Sequence, residues 1–341
     1  MKVLFVLKDR FYNRFHSESY GLINSSKQVA DFLESIGHEC KIVQVIDGNG
    51  IDKELFLYRP DVVIIEALWV TAAKMKELIE LKRYAKIKWV VRIHSDAGFL
   101  AAEGTAFKYI NDYIELHKDN LYVSMNNLQF NHYTSQAMYY DFTYLPNIIT
   151  LLNYRKPPRH KHEYIDIGCF GSLRILKNHV YQALCAIDAA NRLRKTLRFH
   201  ITVDPDVDEK TTNPVYKNLE EIFKDSRHEL VKHYWLTNDK FHELIKEMDI
   251  GMQISYTESF NIVTADFVNN DTPIVVSDAI RWMPFIMRTS SVEYRKTVRK
   301  IIWAYRFRRN KLITRWSKLN LAVYNEEAKL EWRKFMNMLQ S

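Results

Sequence analysis

The chain is predicted to be an α/β protein, built as two successive doubly wound parallel-sheet halves followed by helices. Three observations predict this. Short continuous apolar runs alternate with amphipathic stretches from residue 2 to residue 277, the pattern of βα units whose strands are buried on both faces. A polar stretch at 153–163, Asn-Tyr-Arg-Lys-Pro-Pro-Arg-His-Lys-His-Glu, interrupts the alternation, which then restarts. At 341 residues the chain is long enough for two such cores. The expected division is 1–152, a linker at 153–163, a second half at 164–290 and a basic helical segment at 291–341. Doubly wound halves place ligands at the C-terminal ends of their strands, so a crevice between the halves is expected.

Residues 2–7 read as a first buried strand, the apolar core being too short for a signal peptide. After a polar loop to Tyr20, a helix starts at Gly21 with Leu22, Val29, Phe32, Leu33 and Ile36 on one stripe, and Gly37 stops it. His38–Ile46, Pro60–Ile65, Lys88–His94, Leu121–Ser124 and Thr143–Asn147 read as further strands, with a helix over Thr71–Arg83. In the second half, strands are expected at Tyr164–Phe170, Leu197–Val203, Leu230–Trp235, 249–255 and Thr272–Ser277. Helices are expected at Asn178–Arg194, with Val180, Leu184, Ile187 and Leu193 inward, at Val215–Phe223 and at Asp239–Met248. Beyond Ser291 the chain reads as helices, with Ile301, Tyr305, Leu312, Trp316, Leu319 and Val323 forming one apolar stripe.

Bulk composition narrows the class. No apolar run approaches the ~20 residues of a membrane span. Cys40, Cys169 and Cys185 are odd in number and lack metal-ligand spacing, which points to a reducing compartment; the expected localisation is cytoplasmic. The net charge of +8 is concentrated: residues 281–318 hold twelve Lys/Arg against Glu293 alone. That segment carries +11 and leaves the rest at −3, so a polyanionic partner is expected.

The chemistry-bearing stretch is Glu258-Ser-Phe-Asn-Ile-Val-Thr-Ala-Asp266, which comes after a strand and opens a short helix. First-turn backbone N–H groups at such a turn are free to receive a phosphate, and two carboxylates eight residues apart lie on nearly the same helix face. Gly171-Ser-Leu-Arg-Ile-Leu-Lys177 also lies between strand and helix, where Gly171 permits close backbone approach and Arg174 and Lys177 can neutralise a diphosphate. Its glycine spacing is neither a Walker nor a dinucleotide fingerprint. His94 and Asp96 end a strand of the first half, where they can contact substrate hydroxyls or an acceptor. Asp204-Pro-Asp206-Val-Asp208-Glu209 reads as a solvated acidic loop, and no metal site is expected there or at His160 and His162.

These residues resemble the GT-B glycosyltransferases of the large retaining group with the E-x7-E signature, family 4-like. Over 164–278 the likeness rests on Ile-Gly-Cys-Phe-Gly-Ser-Leu-Arg-Ile-Leu-Lys-Asn-His, on Trp235-Leu-Thr-Asn-Asp with Leu244 and Met248-Asp249-Ile250, and on the Glu258–Asp266 motif. Over 1–150 it rests on Gly21, His94 and Leu145-Pro-Asn147. The resemblance implies two Rossmann-like domains facing across a cleft and a nucleotide-sugar donor, expected to be a UDP-sugar, used without a tightly bound cofactor. It implies that Lys177 and Arg174 contact the diphosphate and that Glu258 contacts the transferred sugar. The backbone of Phe260, Asn261 and Ile262 would face sugar and phosphate, and Asp266 the ribose. It further implies a donor-side glycine at Gly21 and a catalytic-site histidine at His94. Two positions depart from the family pattern: Asp266 replaces Glu, and Asn261 replaces a small Gly.

Three readings of the basic segment stand side by side. It can be a packed amphipathic helix with solvated cations, a nucleic-acid surface with aromatics for stacking, or a helix on an anionic membrane. The Arg-rich concentration favours DNA, with a hydroxylated pyrimidine base as acceptor in a phage-type DNA modification and Arg306, Arg308 and Arg309 on the polyanion. The alternatives are transfer to an envelope polysaccharide or lipid-linked glycan, and a GT-B fold that only binds.

Overall fold

The computed structural model describes residues 1–9, 21–152, 163–209 and 213–340. Apart from Glu163, the expected linker, with His160 and His162, lies outside the described residues, as do residues 10–20 of the first polar loop. The chain divides into two compact units, Met1–Thr150 with Asn325–Ser341, and Leu151–Tyr324. The C-terminal segment expected at 291–341 is therefore shared: residues 325 onward group with the first unit.

The first unit runs β1 (Lys2–Lys8), α1 (Gly21–Ser35), β2 (Glu39–Val45), α2 (Gly48–Tyr58), β3 (Val62–Glu66) and α3 (Ala72–Glu80). It continues through β4 (Lys88–Ile93), α4 (Ala97–Ala101), α5 (Ala106–Glu115), β5 (Leu121–Met125), α6 (Leu128–Met138) and β6 (Thr143–Tyr144). The second unit runs β7 (Tyr164–Cys169), α7 (His179–Arg192), β8 (Thr196–Thr202), α8 (Pro214–Phe223), β9 (Glu229–His233) and α9 (Asn238–Glu247). Then come β10 (Ile250–Gln253), α10 (Ile262–Asn269), β11 (Ile274–Ser277), β12 (Arg288–Thr289), α11 (Tyr294–Arg306) and α12 (Lys311–Gln340).

Each unit holds a six-stranded sheet, ordered β2-β1-β3-β4-β5-β6 and β12-β11-β10-β7-β8-β9, and every pairing is parallel. The doubly wound expectation holds in both halves. In each sheet the first crossover builds to one side and a later one returns to the other. The reversal falls between β1 and β3 in the first sheet and between β7 and β10 in the second. Loops at the C-terminal ends of strands flanking such a reversal diverge and leave room for a ligand.

Close packing constrains α10 against β7 and β10. A Cβ on Gly251 would stand 2.6 Å from the Phe267 ring, and one on Gly168 would stand 2.5 Å from the Phe170 ring. Only glycine at both positions lets α10, which carries buried Phe267, lie this close to the sheet.

Two helices present a different face from the one expected. On α7 the buried residues are His179, Gln182, Ala183, Cys185, Ala186, Ala189 and Ala190, while Leu184 is exposed. The small side chains suit the close contact that α7 makes with α11. On α12, Ile313, Ser317 and Leu321 are buried, whereas Leu312, Trp316, Leu319 and Val323 of the expected packing stripe are exposed. No helix among the described residues is long and apolar enough to cross a membrane. All three cysteines are free.

Candidate functional site

The sheet reversal of the second unit brings together the loops after β7 and β10. Gly171 sits at φ +110°, a left-handed region open to glycine, and its N–H donates to Thr202 Oγ1 at 3.3 Å. A single 3-10 turn, Ile175–Lys177, then delivers Lys177. Asn178, itself left-handed at φ 60°, anchors the turn by donating to the carbonyls of Ile254 (3.2 Å) and Ser291 (3.1 Å). Gln182 donates to Lys177 O at 2.8 Å and accepts from Ile254 N–H at 2.9 Å, and Tyr256 N–H donates to Leu176 O at 2.9 Å. The two loops are thus laced together by backbone and amide groups.

Glu258 is the focus of the lacing. Its Oε1 accepts from Lys177 Nζ at 2.5 Å, Ser255 Oγ at 2.7 Å and Asn261 Nδ2 at 2.9 Å. The carboxylate is buried and the lysine partly exposed. All three donors converge on one oxygen; among the described residues none is given to Oε2.

Asn261 holds the turn into α10. At φ 70° it occupies backbone space that glycine enters most easily and asparagine tolerates. Its Oδ1 accepts from the N–H and the hydroxyl of Thr264, both at 2.8 Å, while Nδ2 donates to Glu258 and to Gln253 Oε1 at 2.8 Å. The departure from Gly therefore supplies an N-cap and orients the carboxylate. Phe260 is buried under Trp282, with rings stacked at 5.4 Å and the indole N–H donating to Phe260 O at 2.8 Å. Asp266 lies one helical turn beyond this start. Burial pushes its carboxyl up to about 8, and His242 Nε2 stands 4.0 Å from its Oδ1. Arg174 lies in the same loop but is exposed, whereas Lys177 is drawn in.

The first unit contains a second cluster, at the ends of β3 and β4. Glu66 and Arg92 are fully buried and bonded through Arg92 Nη1 at 3.1 Å. Glu66 also accepts from Ser26 Oγ at 3.0 Å and from His94 Nε2. Arg92 further donates to the carbonyls of Leu145 (3.0 Å) and Pro146 (2.9 Å) and to Asn147 Oδ1 (2.7 Å). Burial raises the Glu66 carboxyl, but Arg92, His94 and Ser26 together outweigh it and hold the group at about 2. Burial lowers His94, against an opposing pull from Glu66. A carboxylate only accepts, so neutral His94 carries its proton on Nε2. Gly21 is the first residue of α1 in this unit.

Asp96 caps α4 through Ala97 N–H at 2.7 Å and accepts from Tyr133 OH at 3.4 Å. Arg308 is turned into the second unit. It donates to Asp249 Oδ1 at 3.0 Å and to Tyr305 O at 2.7 Å, and lies over the Tyr305 ring. Arg306 and Arg309 are exposed. The Asp204–Glu209 stretch is not a solvated loop: Asp208 is buried and accepts from Asp204 N–H at 2.8 Å and Asn213 Nδ2 at 2.6 Å.

No protein-family model and no curated protein matches the sequence. Solved structures do match. A sucrose-phosphate synthase from Thermosynechococcus elongatus aligns with a TM-score of 0.68 at 11% identity, over 98% of both chains. A UDP-forming α,α-trehalose-phosphate synthase from Burkholderia vietnamiensis aligns at 0.68 and 10% identity, over 100% of this chain and 97% of that one. A trehalose-6-phosphate synthase studied for glycosyltransfer with retention aligns at 0.61 and 9% identity, over 86% of this chain and 77% of the other. The chain has the GT-B fold.

Of the residues expected from the sequence, the structure brings Lys177, Glu258 and Asn261 together in one cluster and places His94 in another; Ser255 and Asn178 join the first and Glu66 and Arg92 the second without having been expected there. Glu66 directly follows the apolar run Pro60–Ile65, and Arg92 lies inside the expected strand Lys88–His94, where a single polar residue carries no sign of its partner. Their partnership spans 26 positions, and no local pattern marks it. Asn178 carried one available signal: an asparagine between a turn and a helix is a common left-handed residue.

Proposed function

We propose that the chain is a retaining glycosyltransferase that takes its sugar from a UDP-sugar held by the second unit. The observation that carries this reading is Glu258: among the described residues three donors fix its Oε1, an orientation in which Oε2 can take a ligand hydroxyl. An oriented carboxylate next to a lysine, at a sheet reversal and beside the N-terminus of α10, matches a ligand with sugar hydroxyls next to phosphates. Retention and a UDP leaving group are supported by the fold neighbours described as UDP-forming and as transferring with retention.

Lys177 would exchange its bond to Glu258 for the diphosphate, and the α10 N-terminus would add positive potential. The acceptor oxygen bonds the anomeric carbon on the face from which the diphosphate oxygen departs. The acceptor proton passes to that departing oxygen. Glu258 holds the sugar and does not attack it. Asp266 would bind the ribose, and within the first unit His94, held by Glu66, is the candidate partner for a substrate hydroxyl.

For the acceptor, the hydroxylated pyrimidine of DNA rests on fewer cations than the sequence suggested, because Arg308 serves an internal ion pair. Arg306 and Arg309 are exposed and would serve a polyanion of either class, DNA or an anionic lipid surface, so the DNA acceptor rests on the experiment below. The experiment is UDP release from a panel of UDP-sugars, with and without hydroxymethylated duplex DNA. Lys177→Ala and Glu258→Ala are expected to lose donor turnover while remaining folded. Normal turnover in both sinks the donor-site reading, and absence of sugar on the DNA sinks the acceptor reading.

A further inference from the structure

The first half of α12 carries apolar residues on two faces. Ile313, Ser317 and Leu321 are buried, while Leu312, Trp316, Leu319 and Val323, spaced four, three and four apart, are exposed. The exposed four form one row about 16 Å long at 1.5 Å rise per residue. Leu312 keeps 70% of its surface and Leu319 61%. Phe285, 67% exposed, sets its ring edge-on to Trp316 with centroids 5.7 Å apart and extends the row beyond the helix. A continuous apolar row of this kind is unfavourable in water and marks a surface that something covers.

Charge selects the occupant. Residues 281–318 hold twelve Lys/Arg against one Glu, and Arg281, Arg306, Arg309, Lys311 and Arg315 are exposed. A second copy in a two-fold contact would bring this charge against itself. A nucleic acid would use the cations, but Leu312, Leu319 and Val323 offer it neither a stacking face nor a donor. An anionic lipid surface uses both sets: the cations meet headgroups, the aliphatics enter the acyl boundary, and Trp316 suits the interface between them. Exposed Glu326 and Glu327, one turn further on, end the row.

We propose that this face of α12, with Phe285, docks on an anionic membrane surface. The docking is independent of donor chemistry: UDP-sugar turnover in solution reads one and vesicle binding reads the other. The test is co-sedimentation of the full chain with phosphatidylcholine vesicles, with and without phosphatidylglycerol. Binding is expected only with the anionic lipid and to weaken at high salt. It should fall by about tenfold or more in Leu312→Gln/Leu319→Gln, which lose two apolar side chains from the lipid. Leu57→Gln, an equally exposed leucine on α2, is expected to bind unchanged. In the unsubstituted chain, lipids brominated on the acyl chain should quench tryptophan emission, and Trp316→Phe should remove most of that quenching. The proposal is overturned by no vesicle binding, or by binding that ignores both the lipid charge and the Gln pair. It is also overturned by self-association that the Gln pair abolishes, or by duplex DNA binding that survives the pair when vesicles are not bound.

Discussion

At the scale of single residues, Asn261 and Asp266 show what a motif match conceals. Asn261 replaces a glycine but keeps the glycine-like backbone, and its side chain makes four hydrogen bonds. Asn261→Ala keeps the strain and loses the bonds, so it should destabilise by about 1–3 kcal/mol. Asn261→Gly relieves the strain and should cost less; chemical denaturation measures both. For Asp266, burial raises the carboxyl from 3.8 to about 8. Between these values the unfolded chain is ionised while the folded one keeps its proton, so stability falls as pH rises from about 4 to about 8 and is flat above. Asp266→Asn should remove this slope, leaving a stability advantage over the parent that opens across that interval; melting temperatures taken against pH show it. If Asp266 holds the ribose, the same variant should bind the donor less tightly. The sequence showed the residue types at these positions but not their burial, because burial is set by Phe267, Phe260 and the neighbouring sheet rather than by the nine motif residues.

At the scale of elements, the alternation of apolar runs and amphipathic stretches made most strands legible within one or two residues. The helices α2, α4, α5 and α6 are not among those expected from the sequence. Gly48-Asn-Gly50 looks like a turn, yet Asp47 caps the helix through the N–H groups of Asn49 and Gly50. Periodicity locates an apolar face without saying what covers it, and α12 has two such faces. Its C-terminal half belongs to the first unit. There Asn325 brackets Ile149, accepting from its N–H at 2.9 Å and donating to its carbonyl at 2.6 Å, and buried Trp332 donates to Pro146 O at 2.8 Å. Arg92 lies over the Trp332 ring, so this helix also supports the Glu66–Arg92–His94 cluster. Trp332→Ala should destabilise by about 3–5 kcal/mol and Asn325→Ala by about 1–3 kcal/mol. Calorimetry or denaturant titration measures both. Values near zero would mean that the C-terminal half of α12 is dispensable to the first unit.

At the scale of the whole molecule, both sheets reverse direction at one point, and each reversal has a polar cluster beside it, yet the clusters differ in kind. In the first unit, Glu66 and Arg92 are fully buried and satisfied by one another and by backbone carbonyls. In the second, Lys177 is partly exposed and, among the described residues, every donor to Glu258 goes to Oε1, so this is the cluster that a ligand can reorganise. UDP should therefore slow amide hydrogen exchange chiefly at 171–178 and 255–266, the loops after β7 and β10, because binding to the folded form suppresses local opening where contacts form. Slower exchange at Gly21 and Leu22 would support the donor-side role carried over to that glycine. The strands of the first sheet should exchange as before. Exchange mass spectrometry with and without UDP measures this, and Lys177→Ala should remove the protection in both loops. Protection confined to the first unit would place the nucleotide beside His94 instead, and the division of labour between the two units would have to be reversed.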